Sequence, residues 1–295
     1  MPEPVNVFLL LKNLNNKISI IKSMVIFLYS DKNCEHQAMA CIKSLTHKIT
    51  DDVKIVYYTI GFDSRFEFKN LNKVRIEYKP QYPTFHFYKA ELSLLTMQMF
   101  PNEYYLFTDT DVLFSRNFNF NDHKYNESYP MASYGPHEYP FVWRDVNGVK
   151  IIFNEIKLMK YYGLENRSMR YCWSCFFAFN PNCKDFIEEY TSMCQNKYLL
   201  DRRYDYLPYV DETAFNICLW RRGATKNLGQ AFVNTHAYDI VKMVEERKVK
   251  NTVFTNSVDA FGSSWEAVED PYKVLLYHGF KEKVEMDKTV DYLLA

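Results

Sequence analysis

The chain has 295 residues, of which 47% are hydrophobic and 24% charged, so it can fill a sizeable core and should be globular. Its 36 basic and 36 acidic side chains balance to a formal net charge of zero at pH 7. The balance excludes a global field that would draw the protein to nucleic acid or to an anionic membrane, so any anion it binds must be held locally.

No apolar stretch approaches the roughly 20 residues that a membrane-spanning helix needs, and the run 7–11 is shorter than the apolar part of a signal peptide. The seven cysteines are an odd number scattered along the chain, which is typical of a reducing compartment and not of a disulfide framework. We therefore expect a cytoplasmic protein without a membrane span. Its oligomeric state is open, with a homodimer among the alternatives.

The first part of the chain alternates predicted strands and helices. Continuous apolar runs predict buried strands, and apolar residues at helical spacing predict helices. The predicted strands are 23–30, 53–60, 74–78 and the run beginning at 104, and the predicted helices are 35–48 and the segment that Pro83 and Thr84 open and Pro101 ends. This alternation predicts an α/β fold with a largely parallel sheet, covered on both faces by helices.

The second part is less regular. Short strands are predicted at 131–134, 175–179 and 274–277, and helices at 155–162, 184–194, 212–221 and 238–248. There is no internal repeat, low-complexity tract or linker, which favours one domain with elaborations.

Two aspartates interrupt an apolar run in the sequence YYLFTDTDVLF at 104–114. Asp109 and Asp111 follow the predicted fourth strand, and ligands of parallel sheets bind beyond the carboxyl ends of the strands. Like charges this close raise each other's pKa unless a cation lies between them, and oxygen ligands suit Mg²⁺ or Mn²⁺. The alternative is a solvated, inert turn after a strand.

The apolar lead-in, the D-T-D sequence and the apolar residues after it resemble the metal-binding D-x-D motif of GT-A glycosyltransferases. The resemblance implies the GT-A variety of α/β fold, with a Rossmann-like, mostly parallel central sheet flanked by helices. It also implies a single catalytic domain at 23–283, with a nucleotide-binding half at 23–114 and an acceptor and catalytic half at 115–283. Residues 1–22 would then be an N-terminal extension and 284–295 a C-terminal tail.

A second motif, YVDETAFNICLW, resembles two retaining families of these transferases. Glycogenin-like enzymes carry D-Q-x-x-x-N, and the blood-group A/B and α-galactosyl transferases carry D-E-x-x-x-N, which Asp211, Glu212 and Asn216 match at every defined position. The resemblance implies that Glu212 and Asp211 are catalytic, with Glu212 beneath the anomeric carbon, and that Asn216 is on the donor side. The alternative is a helix that begins with an Asp cap and an acidic first turn.

The resemblance assigns further residues to the site. It implies His278 as a third metal ligand beside Asp109 and Asp111, and Trp173 and Ser174 on the acceptor side. Donor-binding roles fall to Tyr29, Ser30, Asp31, Lys89, Thr110, Asn216, Lys281 and Lys283. For Lys89 the alternative is a solvated helix lysine, for His278 a hydrogen-bonded structural residue, and Tyr29, Ser30 and Asp31 are assigned only by their place after the first strand.

The implied activity is metal-dependent transfer of a sugar from a nucleoside-diphosphate sugar to a glycan or protein acceptor, with retention of anomeric configuration and Mn²⁺ or Mg²⁺ as cofactor. The donor would be a UDP-hexose or UDP-N-acetylhexosamine. Two rival interpretations are a haloacid-dehalogenase-like phosphatase, whose D-x-D belongs on the first strand, and a catalytically silent glycosyltransferase-like binding protein.

Overall fold

The computed structural model describes residues 23–49, 52–79, 85–114, 126–138, 162–164, 170–195, 210–224, 232–236, 253–255, 266–268, 274–278 and 291. The strands are β1 (Met24–Ser30), β2 (Val53–Ile60), β3 (Leu71–Ile76), β4 (Tyr104–Thr108), β5 (Leu113–Phe114), β6 (Met131–Glu138), β7 (Arg170–Phe179), β8 (Phe232–His236), β9 (Val253–Thr255), β10 (Glu266–Val268) and β11 (Val274–His278). Within the described residues, the main α-helices are α1 (Glu35–Lys48), α2 (Tyr88–Met99), α3 (Lys184–Cys194) and α4 (Val210–Arg221).

The main sheet has six strands in the order β3-β2-β1-β4-β7-β6. The pairs β3·β2, β2·β1 and β1·β4 are parallel, and β4·β7 and β7·β6 are antiparallel. The expected α/β fold with a mostly parallel sheet is therefore confirmed; β7 alone runs opposite to the other strands, and β6 beyond it runs in the common direction again.

The chain order of the parallel strands reverses beside β1. From β1 the chain moves outward through β2 to β3 and then returns to place β4 on the other side of β1. In open α/β sheets such a reversal opens a crevice at the carboxyl ends of the two central strands, and ligands bind there. The residues that follow β1 and β4 flank this crevice.

The two faces of β1 bury different side chains, which explains why its sequence is apolar without alternation. Val25, Phe27 and Tyr29 belong to a cluster that includes residues of α2, α3 and α4. Ile26 and Leu28 belong to a second cluster on the other face, which includes the buried residues of α1. Helices thus cover both faces of the sheet, as the sequence predicts.

A three-stranded sheet in the order β5-β11-β8 adjoins the D-x-D segment, and β9 and β10 pair as a hairpin-like unit. In the antiparallel pairing of β11 with β5, Tyr277 lies opposite Leu113. His278 follows Tyr277 as the last residue of β11, and β5 begins two residues after Asp111.

Most predicted elements in the described residues have the expected bounds to within two residues, but four differ more. β3 begins and ends earlier than the predicted strand 74–78, and β6 and β7 are longer than the predicted 131–134 and 175–179. The helix predicted from Pro83 is a single 3₁₀ turn at Phe85–Phe87 followed by α2. The predicted helix 238–248 and nearly all of 155–162 lie outside the described residues.

Within the ranges that the structure describes, no helix is long and apolar enough to cross a membrane.

Candidate functional site

The acidic pair sits on a turn that β4 and β7 hold in place. Asp109 is the first residue after β4, and its backbone N–H donates to the Cys175 carbonyl at 2.8 Å, which continues the antiparallel ladder by one step. The Val112 N–H reaches back to the Asp109 carbonyl at 3.4 Å and closes the turn. Asp109, Thr110 and Asp111 are all partly exposed, in contrast to the buried residues on either side.

Lys89 of α2 joins the two acidic motifs. Its Nζ lies 3.5 Å from Asp109 Oδ1 and 3.2 Å from Asp211 Oδ2, and it donates to Ser174 Oγ at 3.1 Å. The Lys89 side chain is only 3% exposed, and its Nζ lies over the Phe107 ring, 5.1 Å from the ring centre. The solvated lysine considered from the sequence is therefore wrong, because this ammonium is buried among site residues.

Asp211 and Glu212 lie inside the first turn of α4, which begins at Val210. Asp211 is buried, and its Oδ2 also accepts a 3.4 Å hydrogen bond from Ser174 Oγ. Glu212 is half-buried, and its Oε2 accepts the Ser174 backbone N–H at 3.0 Å. A single residue of β7 thus contacts both carboxylates of the D-E motif.

The charges in this cluster are unequal. Burial raises the pKa of Asp109 to about 7, with Asp111 and Asp211 acting in the same direction and Lys89 opposing them. Burial also opposes ionisation of Lys89, but Asp109 and Asp211 outweigh it and hold the Lys89 pKa well above its usual value. Burial likewise disfavours the Asp211 carboxylate, yet the Lys89 charge keeps the Asp211 pKa below its usual value. Lys89 and Asp211 therefore form the charged pair, and Asp109 is the carboxylate short of positive charge.

The donor set around Asp109 fits a hard divalent cation. Asp109 and Asp111 offer only oxygen atoms, both residues are partly exposed, and the raised pKa of Asp109 means that a cation would relieve an existing cost. Among the residues the structure describes, no group of three His, Cys, Asp or Glu could hold a metal ion. Two carboxylates are enough for Mg²⁺ or Mn²⁺ when substrate phosphates and water supply the remaining ligands.

Asn216 lies on α4 but does not face the cleft. It is fully buried, its Oδ1 accepts the Cys172 N–H at 2.7 Å, and its Nδ2 donates to the Cys172 and Glu212 carbonyls, each at 2.8 Å. Its bonds therefore tie α4 to β7, and the expected contact with a donor remains a prediction.

The last residues of β1 and the residue after it line the other side of the crevice. Tyr29 and Ser30 are buried, and the Tyr29 hydroxyl donates to the His86 carbonyl at 3.4 Å. Asp31 accepts the Cys34 backbone N–H at 3.0 Å and so shapes the turn that leads into α1. Only Asp31 among these three is exposed enough to meet a ligand in this arrangement.

Four expected site residues are described only in part or not at all. The backbone of His278 ends β11, the strand that pairs with β5, and that of Trp173 lies within β7, whereas Lys281 and Lys283 fall outside the described residues. Their expected roles as metal ligand, acceptor contact and diphosphate contacts stay predictions.

Two histidines near the site were not singled out from the sequence. His236 pairs with His278 in the parallel register of β8 and β11. His86, exposed at the turn before α2, lies within electrostatic range of Asp211, Lys89 and Asp111. The sequence carries little signal for His236, because only the first two residues of its strand FVNTH are apolar, and only the strand pairing brings it next to His278.

No protein-family model matches this chain, and no curated protein matches it either.

Proposed function

We propose that the protein is a metal-dependent glycosyltransferase of the GT-A fold, related to the retaining families whose motifs it resembles. It would transfer a hexose or N-acetylhexosamine from a UDP-sugar to a glycan or protein acceptor, with retention of anomeric configuration.

One observation gives the proposal its main support. The D-T-D turn after β4 and the D-E pair of α4 are far apart in sequence, yet Asp109 and Asp211 both contact Lys89 Nζ. This meeting point is at the carboxyl end of β4, beside the crevice where α/β sheets bind nucleotides. An inert turn and an ordinary helix cap have no reason to converge on one buried lysine.

On the leaving-group side, Asp109 and Asp111 would hold the divalent cation, with His278 as the expected third ligand at the end of β11, which pairs with β5. When bound, the cation supplies a Lewis acid that stabilises the negative charge growing on the departing diphosphate. Asp31 and the turn after β1 would face the nucleoside across the crevice.

On the sugar side, Glu212 is the better placed of the two carboxylates to face the anomeric carbon. It is half-buried, and the Ser174 N–H fixes one of its oxygens, so the other oxygen is oriented as well. A carboxylate in this position stabilises or traps an oxocarbenium-like sugar, as in retaining glycosidases. Asp211 is buried and already bound to Lys89, so its main contribution would be to orient the lysine and the first turn of α4, with sugar hydroxyls as further partners.

The test is Mn²⁺-dependent turnover of a panel of nucleotide sugars, with wild type compared with Asp111→Ala. We expect slow hydrolysis of one UDP-sugar by the wild type, and loss of that activity in Asp111→Ala with unchanged thermal unfolding, because Asp111 is a partly exposed residue on a turn. The exposed Asp185 of α3 provides a matched control, since Asp185→Ala removes the same charge elsewhere.

Turnover that persists after Mn²⁺ and Mg²⁺ are chelated would refute the metal-dependent part of the proposal. The silent binding protein predicts that a UDP-sugar binds to the wild type and is never turned over, with or without acceptors.

A further inference from the structure

The ladder between β6 and β7 is interrupted beside the site. Ala132 pairs with Phe177, but the next pair is Tyr134 with Cys172, so β7 contributes several more residues to this interval than β6 does. Such a bulge takes backbone groups out of the strand ladder, and buried peptide groups need other partners. The stretch includes Ser174, which contacts both carboxylates of the D-E motif.

Side chains of α4 supply those partners. The Asn216 carboxamide binds both the N–H and the C=O of Cys172, much as a neighbouring strand would, and Glu212 accepts the Ser174 N–H. The two residues are four apart on one helix, so they project from the same face of α4 toward alternate residues of β7.

The Asn216 side chain has no polar group left over for the cleft. Its Oδ1 and Nδ2 make three backbone hydrogen bonds, one of them to the Glu212 carbonyl, and the residue is fully buried. The bonds to the Cys172 N–H and C=O are 2.7 and 2.8 Å long, and losing them costs these buried groups the Asn216 partner. Asn216 therefore fixes the distance between the first turn of α4 and the bulged part of β7.

We propose that Asn216 is a positioning residue that docks α4 into the β7 bulge and thereby sets the place of Glu212 at the reaction centre. The inference rests on the proposed function, because it states how the carboxylate facing the sugar is held. It also replaces the expected donor contact of Asn216 with an indirect role.

The decisive experiment measures amide hydrogen exchange by NMR in protein labelled with ¹⁵N-cysteine and ¹⁵N-serine, with wild type compared with Asn216→Ala. We expect exchange about tenfold faster at the Cys172 amide, which Asn216 binds directly. We also expect faster exchange at the Ser174 amide, which binds Glu212 and not Asn216, because Glu212 will have shifted. The Cys41 and Ser44 amides of α1 serve as internal references for global opening.

Asn180 provides the matched control. It is also a buried asparagine with two hydrogen bonds to backbone groups, from the Asn182 N–H at 2.8 Å and to the Glu127 carbonyl at 3.0 Å, but it lies at the other end of β7. Asn180→Ala should leave exchange at the Cys172 and Ser174 amides as in the wild type. Where turnover is measurable, Asn216→Ala should lower kcat at least tenfold with the donor KM within about threefold, since a misplaced catalytic group affects the chemical step.

An unchanged Ser174 amide in Asn216→Ala, relative to the α1 references, would overturn the inference whatever the activity. If that variant does not fold, Asn216→Ser replaces it, because a helix serine keeps a bond to the carbonyl four residues earlier while losing both bonds to Cys172. A wild type that turns over no nucleotide sugar would refute the proposed function and leave the exchange result as the test of the docking role.

Discussion

The burial of Lys89 between two carboxylates makes its charge the most consequential one in the site. Lys89→Met keeps the length and much of the apolar stem, so the substitution removes the ammonium while largely preserving the packing against Phe107. The substitution takes the nearest cation away from two carboxylates. The Asp211 side chain is 7% exposed and the Asp109 side chain 27% exposed.

The stability lost in Lys89→Met depends on how exposed Lys89, Asp109 and Asp211 are. Removing one partner of a buried ion pair costs about 3–5 kcal/mol, because an uncompensated charge remains. Asp109 is partly solvated, so its share is reduced and we expect the lower end, about 3 kcal/mol. At about 2 °C per kcal/mol for a chain of this size, the melting temperature should fall by roughly 6 °C.

The assay is a double-mutant cycle of Lys89→Met and Asp211→Asn, followed by urea and thermal unfolding. The two single losses of stability should add up to about 2 kcal/mol more than the loss in the double variant. The reason is that Asp211→Asn removes the carboxylate that Lys89→Met deprives of its cation. Lys43→Met, which breaks the exposed 3.4 Å pair with Asp291, is the control and should change stability little. Additive losses within about 0.5 kcal/mol would refute the reasoning, since independent sites give that result.

Two further substitutions test the site and the fold. In steady-state assays, Glu212→Gln should reduce kcat for the UDP-sugar by about a hundredfold or more, with the donor KM nearly unchanged. Asp185→Asn is the control, and equal kcat values in the two variants would mean that another residue has the catalytic role. Glu103 accepts bonds from Lys54 Nζ at 3.0 Å and the Ser23 N–H at 2.7 Å, which lower its pKa although burial opposes them. A lowered folded-state pKa stabilises the fold above the unfolded pKa of about 4.3, so Glu103→Gln should cost about 1 kcal/mol at pH 7. In urea titrations the difference should vanish as the pH falls through the folded-state pKa, and a constant difference would contradict this account.

The central strands and two helices could be predicted because local sequence and tertiary burial agree there. β1, β2 and β4 are buried over most or all of their length, so their sequences are continuous apolar runs. The helices α1 and α3 have the predicted bounds, Glu35–Lys48 and Lys184–Cys194.

The edge of the sheet was harder to predict. β3 is half-exposed and carries Asn72 and Lys73, so its apolar signal is weak and the predicted strand began three residues too late. The reversed direction of β7, between β4 and β6, depends on which strands pair, and a single sequence does not contain that information.

Within the candidate site, the sequence singled out the two acidic motifs but not how they are connected. Lys89 was a candidate, yet its burial depends on partners from β4, β7 and α4 that only the fold brings together. The structural use of Asn216 was hidden for the same reason, since its partner Cys172 belongs to a bulge that has no local signature.

The most direct test of the central claim is to identify the bond that the protein breaks. Wild type is incubated with Mn²⁺ and one UDP-sugar at a time, with and without glycan acceptors, and the products are separated by anion-exchange chromatography. We expect UDP together with free or transferred sugar, because in the proposed function Asp109 and Asp111 would hold the cation that binds the departing diphosphate, and Glu212 would face the anomeric carbon. Release of UMP with a sugar phosphate, of inorganic phosphate alone, or no product from any donor would contradict it.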